Sequence, residues 1–469
     1  MGLSNARATR SHGSPRELLT LSPTTAILRL ALPTMSVMVA AAVSNILYTY
    51  YVSRLGPEAL AAVSLVFPIT LIAITAVGGG LGAGTASAIS RALGRGQLGL
   101  ANRIAGEGFK LSVISGLVFG GVVCATAAPV FTLLGGRGVV LDQAVAFARV
   151  LFGGAAISFA AAILDNILRA AGDSRTPAAW ATASLVLQLF LTPAFMFWLD
   201  WGLLGAAFAT LAAQLFTVLP RLYTLTLRQG RLGLRLQFSG GGYESAVEIL
   251  RVATPSALST FSNYVGLLVL TGVVARFGDR YLAAYGLGTR LDFVLLSLNY
   301  GFAVAVLTLV GMAVGASELQ RAQRYVLHAG LLTGTTLGLL AVLLTLYPNL
   351  WLARFTRDPE VLAVGRDYLH WVAPTYPFVG WSMLCGFAFQ ATGRASLPMF
   401  WTLARVSLVV AAALVCVRVL NLPAWTIFAC VAAGNVSSAI VLGWLLMRNL
   451  EPLRRPAAHV GHSFSSNPP

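Results

Sequence analysis

The stretch Arg54-Leu55-Gly56-Pro57-Glu58-Ala59-Leu60-Ala61-Ala62 returns in loosened form as Arg276-Phe277-Gly278-Asp279-Arg280-Tyr281-Leu282-Ala283-Ala284, 222 residues later. Working outward, Ala31-Leu32-Pro33 and Ala253-Thr254-Pro255 keep the same spacing. Asn102-Arg103 and Gln323-Arg324 stand 221 apart, as do Gly172 with Pro177 and Gly393 with Pro398. Four sets of anchors at a nearly constant offset describe two homologous halves laid end to end.

Each half is a series of long apolar runs. Hydrophobic residues make up 57% of the 469 and charged residues 10%, against about 25% charged in an ordinary water-soluble chain. Crossing the hydrocarbon takes roughly 20 apolar residues as a helix, and a helix satisfies its own backbone there. The runs place spans at 25–51, 59–89, 104–128, 143–168, 177–199 and 203–227, then at 247–275, 281–314, 324–347, 363–391, 397–420 and 424–447. The fold class expected is an all-α integral membrane protein of twelve transmembrane helices in two parallel six-helix repeats. The expected organisation is a tail (1–24), an N-lobe (25–227), a linker rich in Gly and Arg (228–246), a C-lobe (247–447) and a polar, Pro-rich, disordered tail (448–469). Repeats of equal topology place a substrate site between the halves near the membrane midplane.

The net charge of +16 would point to nucleic acid in a soluble chain. Here 21 of the 32 Lys and Arg fall in or near the connections and tails on the side that holds both termini, and 9 on the other. Acidic residues show no such bias, so the basic residues orient the chain with both termini in the cytoplasm. A bacterial inner membrane is expected, with lipid as neighbour, no nucleic acid, and a monomer as the working unit. Cys124, Cys385, Cys416 and Cys430 lie in apolar segments without CxxC spacing and read as packing residues. No motif for a cofactor, a metal or a nucleotide is present, and no nucleophile–base set for an enzyme. Energy must then come from an ion gradient, in which one proton falling through 100 mV supplies about 2.3 kcal/mol.

Ser53 to Ala62, Leu168-Arg-Ala-Ala-Gly-Asp-Ser-Arg-Thr-Pro177, Trp201 to Thr210, Leu282 to Arg290 and Gly393 to Pro398, taken in order, resemble the multidrug and toxic compound extrusion (MATE) family. The resemblance runs from about Ala31 to Leu446. It implies export of organic, often cationic, compounds in exchange for protons or sodium. Acids that many relatives carry align with Tyr48, Thr192, Asn263 and the neighbourhood of Trp381 in this sequence. A hard cation wants carboxylate and carbonyl oxygens, so proton exchange is the expectation, and sodium coupling or a lipid-linked-sugar flippase are the alternatives.

Asp292 is the chief candidate for coupling. It lies about eleven residues into the eighth span, roughly 16 Å deep at 1.5 Å per residue, where a charge is costly and usually faces a cavity or a partner. Arg405 enters from the opposite side to a similar depth, and an Asp292–Arg405 pair that a proton would break is expected. Arg290, two residues from Asp292, points elsewhere on the helix, and Arg290 and Arg405 read as the only deep arginines. Asp165 is read as an interfacial ion pair with Arg169 at i+4. Tyr48, Gln188, Asn263, Asn299, Tyr300, Trp381 and Gln390 are candidates for lining a substrate cavity, each also capable of joining helices to one another. The aromatic ones could stack on a cation. Glycines at 78–80, 82 and 84 suggest close helix approach or a hinge.

Overall fold

The computed structural model describes residues 17–226, 234–238 and 242–450, with backbone alone at 17 and 75–78. The outer parts of both tails and most of the linker, including the expected disorder of the C-terminal tail, lie outside the described residues. Every regular element described is helical. The first half holds α1 (Pro23–Ser53), α2 (Pro57–Gly94), α3 (Leu98–Leu133), α4 (Gly138–Gly153 and Ala155–Ala170), α5 (Arg175–Trp198) and α6 (Gly202–Thr226). The second holds α7 (Tyr243–Phe277), α8 (Asp279–Gly315), α9 (Leu319–Leu346), α10 (Pro359–Val372 and Tyr376–Ala391), α11 (Ser396–Arg418) and α12 (Trp425–Leu450). Ten of these are single helices long and apolar enough to cross a membrane.

Two expected spans are broken. The pieces of α4 meet at 47° around Gly153 and Gly154, and those of α10 are joined by a 3-10 turn at Ala373–Thr375. The breaks occupy equivalent places in the two halves. Pro374 within that turn removes a backbone donor, and helices tend to give way there. The glycine run in α2 lies in a π-helical segment, Thr75–Gly82, a distortion that loosens the helix where it meets the other half.

The backbone repeats along with the sequence. Left-handed φ values occur at Gly56 and Gly278, Gly96 and Ser317, Gly172 and Gly393, and Asp200 and Asn421. All four pairs are 221 or 222 residues apart, so the two halves turn their connections in the same way.

Three hydrophobic cores hold the fold. One lies inside the first lobe among α2, α3, α4 and α6, and one inside the second among α8, α9, α10 and α12. The third is shared, drawing on Ala26 to Ala31, Leu81 to Leu93, Phe302 to Ala313 and Leu384 to Ala391. This common core lies on the side of the bundle that carries the termini. The described part of the linker is tied to the first lobe: Arg235 N donates to Asn102 Oδ1 at 2.8 Å and Gln237 N to Asn102 O at 3.2 Å.

Candidate functional site

Among the described residues, the hydrogen bonds and close glycine contacts between the lobes fall in the terminal half of their length. Every residue from Ala83 to Gly94 in α2 and from Gly301 to Ala313 in α8 is buried. Glycine makes this contact possible, because a Cβ on Gly94 would lie 2.1 Å from Met312 O and one on Gly315 2.2 Å from Arg91 O. Polar groups complete the seal. Arg91 Nη2 donates to Glu248 Oε1 at 3.0 Å and its Nη1 to Ala391 O at 3.0 Å, while Ser87 Oγ donates to Gln390 O. Thr308 Oγ1 donates to Arg169 O at 3.2 Å. The contacts farthest from the termini are Gly79 with Thr260, and Gly301 with Met35 and Ala31. Beyond them no hydrogen bond or close glycine contact joins the lobes among the described residues, and Asn263 and Arg290, farther out on the helices that carry those contacts, are exposed, so that a cleft opens toward the other side.

Asp292 stands past this seal but faces the interior of the second lobe. Tyr368 Oη donates to its Oδ2 at 2.5 Å and Tyr376 Oη to its Oδ1 at 2.8 Å. The two tyrosines lie on either side of the break in α10, so one carboxyl group is fastened to both pieces. Tyr285 and Phe428 pack edge-on against Tyr368, at 5.8 and 5.2 Å between ring centres.

The expected Asp292–Arg405 pair is not formed. Arg405 Nη2 donates to Asn263 Oδ1 of α7 and its Nη1 lies 3.5 Å from Asn435 Oδ1 of α12. Asn435 Nδ2 donates to Thr375 Oγ1 at 3.0 Å. Equal depth is not a shared face: α8 turns Asp292 into the lobe, and α11 turns Arg405 toward α7. Arg91, Arg169 and Arg221 are also enclosed by protein, each under a tenth exposed. Asp165 is held by Arg221 of α6, with Arg169 farther away at 3.7 Å. The expected i+4 pair with Arg169 is formed, and Arg221 makes the cluster a buried cross-link between helices as well.

The remaining cavity candidates are scattered. Gln188 Nε2 donates to Thr210 Oγ1 at 2.8 Å, joining α5 to α6. Asn299 is buried, accepts from Thr333 Oγ1 at 2.9 Å and donates to Gly380 O at 3.3 Å. Trp381 is wedged between Gly330 and Gly443, and Tyr48 packs on the first lobe's own core. These four serve helix packing within a lobe. Tyr300 stacks edge-on with Phe387 at 5.8 Å. Gln390 lies in the seal, its carbonyl Oε1 buried without a hydrogen-bond partner. Of the seven, only Asn263 is brought to a charged candidate. Sequence reasoning missed Tyr368, Tyr376, Arg91, Glu248 and Arg221.

Two lobes of six spans, parallel in topology, sealed at one end and cleft at the other, define a membrane transporter of the two-lobed kind. The chain belongs to the MatE family, whose model matches residues 33–194 and again 255–416. The two matches begin and end 222 residues apart, the spacing of the sequence repeat. Over 365 residues the chain is 27% identical to the FAD transporter of Shewanella oneidensis, covering 77% of this chain and 80% of that protein. It is 22% identical to the probable multidrug resistance protein NorM of Thermotoga maritima, over 80% of this chain and 82% of that one. Among solved structures, a MOP superfamily transporter from Pyrococcus furiosus superposes with a TM-score of 0.86 at 27% identity, covering 94% of this chain and 98% of that. An outward-facing MATE family transporter gives 0.85 at 27%, covering 93% and 98%.

Proposed function

We propose that this chain is a secondary active antiporter that exports organic compounds by alternating access, in exchange for protons taken up at Asp292. The observation that carries the reading is the setting of Asp292, an acid deep in a span on the open side of the seal, held by hydroxyl groups and not by a cation. A carboxyl held by hydroxyl groups in place of a permanent counter-charge can take up a proton without breaking an ion pair, which suits a proton carrier. As a carboxylate it accepts from both tyrosines. Once protonated, it donates through one oxygen, so one tyrosine hydroxyl must turn and accept. Because Tyr368 and Tyr376 flank the break in α10, that exchange alters the grip on the break. Loading of the proton thereby acts on the shape of the second lobe.

With both termini cytoplasmic, as the arginine bias favours, the seal faces the cytoplasm and the cleft opens outward, in a bacterial inner membrane. Protons then enter from outside and cargo is collected from inside after the lobes rock. Relatives are named for multidrug resistance and for FAD, so an organic molecule of drug or cofactor size is the cargo class. One chain contributes both lobes and the whole cleft, so a monomer suffices. A sugar-lipid flippase is less well supported: Arg91, Arg169 and Arg221 are spent on ion pairs and the seal, leaving two arginines for a diphosphate.

The test is dye export from proteoliposomes under an imposed pH gradient or an imposed sodium gradient, with Asp292→Asn beside the native protein. Export driven by the pH gradient and lost in Asp292→Asn is the expected result. Export driven by sodium alone, or undiminished in the variant, would overturn proton exchange at this residue.

A further inference from the structure

Among the described residues, the two cations placed at the cleft, Arg405 and Arg290, have no acidic partner. Asn263 follows Thr260 by three residues on α7, and residues so spaced share a helix face. Thr260 is the residue of α7 that meets Gly79 across the seal, so Asn263 looks into the cleft one turn above the contact, and it is exposed there. Its amide oxygen holds the Arg405 guanidinium at that wall. Arg290 of α8 reaches the cleft by the same logic. It lies eleven residues, about three turns, before Gly301, the residue that meets α1 across the seal. Between them Val294 continues an exposed stripe, with Ser297 half-buried. Arg290 is exposed, and among the described residues it has no ion pair or hydrogen-bond partner.

The acids do not balance these cations. Asp165 is bound between Arg221 and Arg169, Glu248 by Arg91, Glu107 by Lys110, and both oxygens of Asp292 by tyrosine hydroxyls. Arg405 spends its guanidinium on two neutral amide oxygens, one at the 3.5 Å limit. Several of its five N–H groups stay free. A guanidinium fork with spare donors is suited to the planar or tetrahedral oxygens of an anion. A cationic cargo would find two like charges instead.

We propose that the cleft binds its cargo through an anionic group, a carboxylate, phosphate or sulfonate, seated on Arg405 between Asn263 and Asn435 with Arg290 as the second cation. The proposal deepens the exporter reading, resting on it for transport, while binding stands apart. Asn263 and Asn435 hold the guanidinium in place and lend amide donors of their own once the anion arrives. The bound anion would replace the missing acidic partner of Arg405.

The experiment uses two xanthene dyes of similar ring system and opposite charge, fluorescein (anionic at pH 8) and rhodamine 6G (cationic). Binding of each to the purified full-length protein in nanodiscs is followed by fluorescence anisotropy. The native protein should bind fluorescein saturably, and added salt should weaken it. Arg405→Gln should bind it about tenfold or more weakly, the scale of losing a hydrogen-bonded charge, with Arg405→Lys between them. Arg290→Gln should give a smaller loss, and rhodamine 6G binding should not fall in either glutamine variant. Native protein that prefers rhodamine 6G, or binds neither dye, overturns the proposal. So does unchanged fluorescein binding in Arg405→Gln, or equal loss of both dyes in a variant that melts as the native protein does. If Arg405→Gln fails to fold, Arg405→Lys and Arg290→Gln carry the same comparison. Nanodiscs of phosphatidylglycerol against phosphatidylcholine separate the sources of the anion: competitive loss of fluorescein in the former makes a lipid headgroup the ligand. Fluorescein that binds but is not exported from vesicles leaves the site standing and removes the exporter reading.

Discussion

Arg91 and Glu248 face each other across the two lobes at 3.0 Å, and the same guanidinium also reaches Ala391 O of α10. Arg91 is nearly enclosed while Glu248 keeps a third of its side chain exposed, so water already attends one partner of the pair. Glu248→Gln removes the charge and keeps the shape. It should weaken the closed state by about 1–2 kcal/mol, or roughly 5- to 30-fold in the closed-to-open ratio. Spin labels on Gln97→Cys and Gln320→Cys, exposed in the turns beyond the seal, would report the ratio as a distance distribution. An unaltered distribution would mean that apolar packing alone holds the lobes together.

Gly94 tests that packing directly. A methyl group there would meet Met312 O at 2.1 Å, whereas one at Gly121 on α3 would meet nothing within 4 Å. Gly94→Ala should therefore push the lobes apart and raise the population open on the terminal side, and Gly121→Ala should leave it unchanged. The same spin-label pair provides the measurement, and equal behaviour of the two alanine variants would contradict the account of the seal.

Tyr376→Phe removes one of the two donors to Asp292 without touching the carboxyl. The loss of one such hydrogen bond is about 1–2 kcal/mol, so gradient-driven export should fall several-fold and persist. Asp292→Asn should abolish the response to the gradient while cargo binding in the cleft survives. Side-by-side initial rates and binding curves would show the split. A Tyr376→Phe protein as dead as Asp292→Asn would give the hydroxyl a part in proton transfer itself.

Asp165 predicts a loss of stability instead of function. Its removal leaves Arg221 and Arg169 buried side by side, with side-chain exposures of 3% and 10%. Breaking a buried pair from one side typically costs about 3–5 kcal/mol. Asp165→Asn should melt well below the native protein in detergent, and replacing Arg169 as well should recover part of the loss. A melting temperature within a degree of the native one would show that lipid or water compensates the arginines.

The repeat was readable because span length, turn glycines and helix-start prolines act through the backbone, which the sequence states locally. The paired left-handed residues, such as Gly56 with Gly278, follow from the same signal. Partners across helices were not readable from depth. Asp292 and Arg405 stand at similar levels, yet each is turned toward a different neighbour by the rotation of its helix, which packing sets. Tyr368 and Tyr376 were not singled out, since nothing in their own segment marks a hydroxyl as a donor to a distant acid. Arg91 and Arg221 carried no sign of their partners, since Glu248 and Asp165 stand far from them in the sequence. Asn263 could have been assigned to the cleft from its three-residue spacing to Thr260, had the inter-lobe contact at Thr260 been known.

The docking of 234–238 on Asn102 gives the molecule a short leash. Covalent geometry allows at most about 3.6 Å per residue, so the four steps from Phe238 to Gly242 reach roughly 15 Å at full stretch. However far the lobes swing, the foot of α7 stays within that radius of Phe238, which packs on Phe109 of α3, while the linker remains docked. The doorway on the terminal side must then open like a fan, wide at the far rim and narrow at this corner, and a bulky cargo would pass along the rim opposite Asn102.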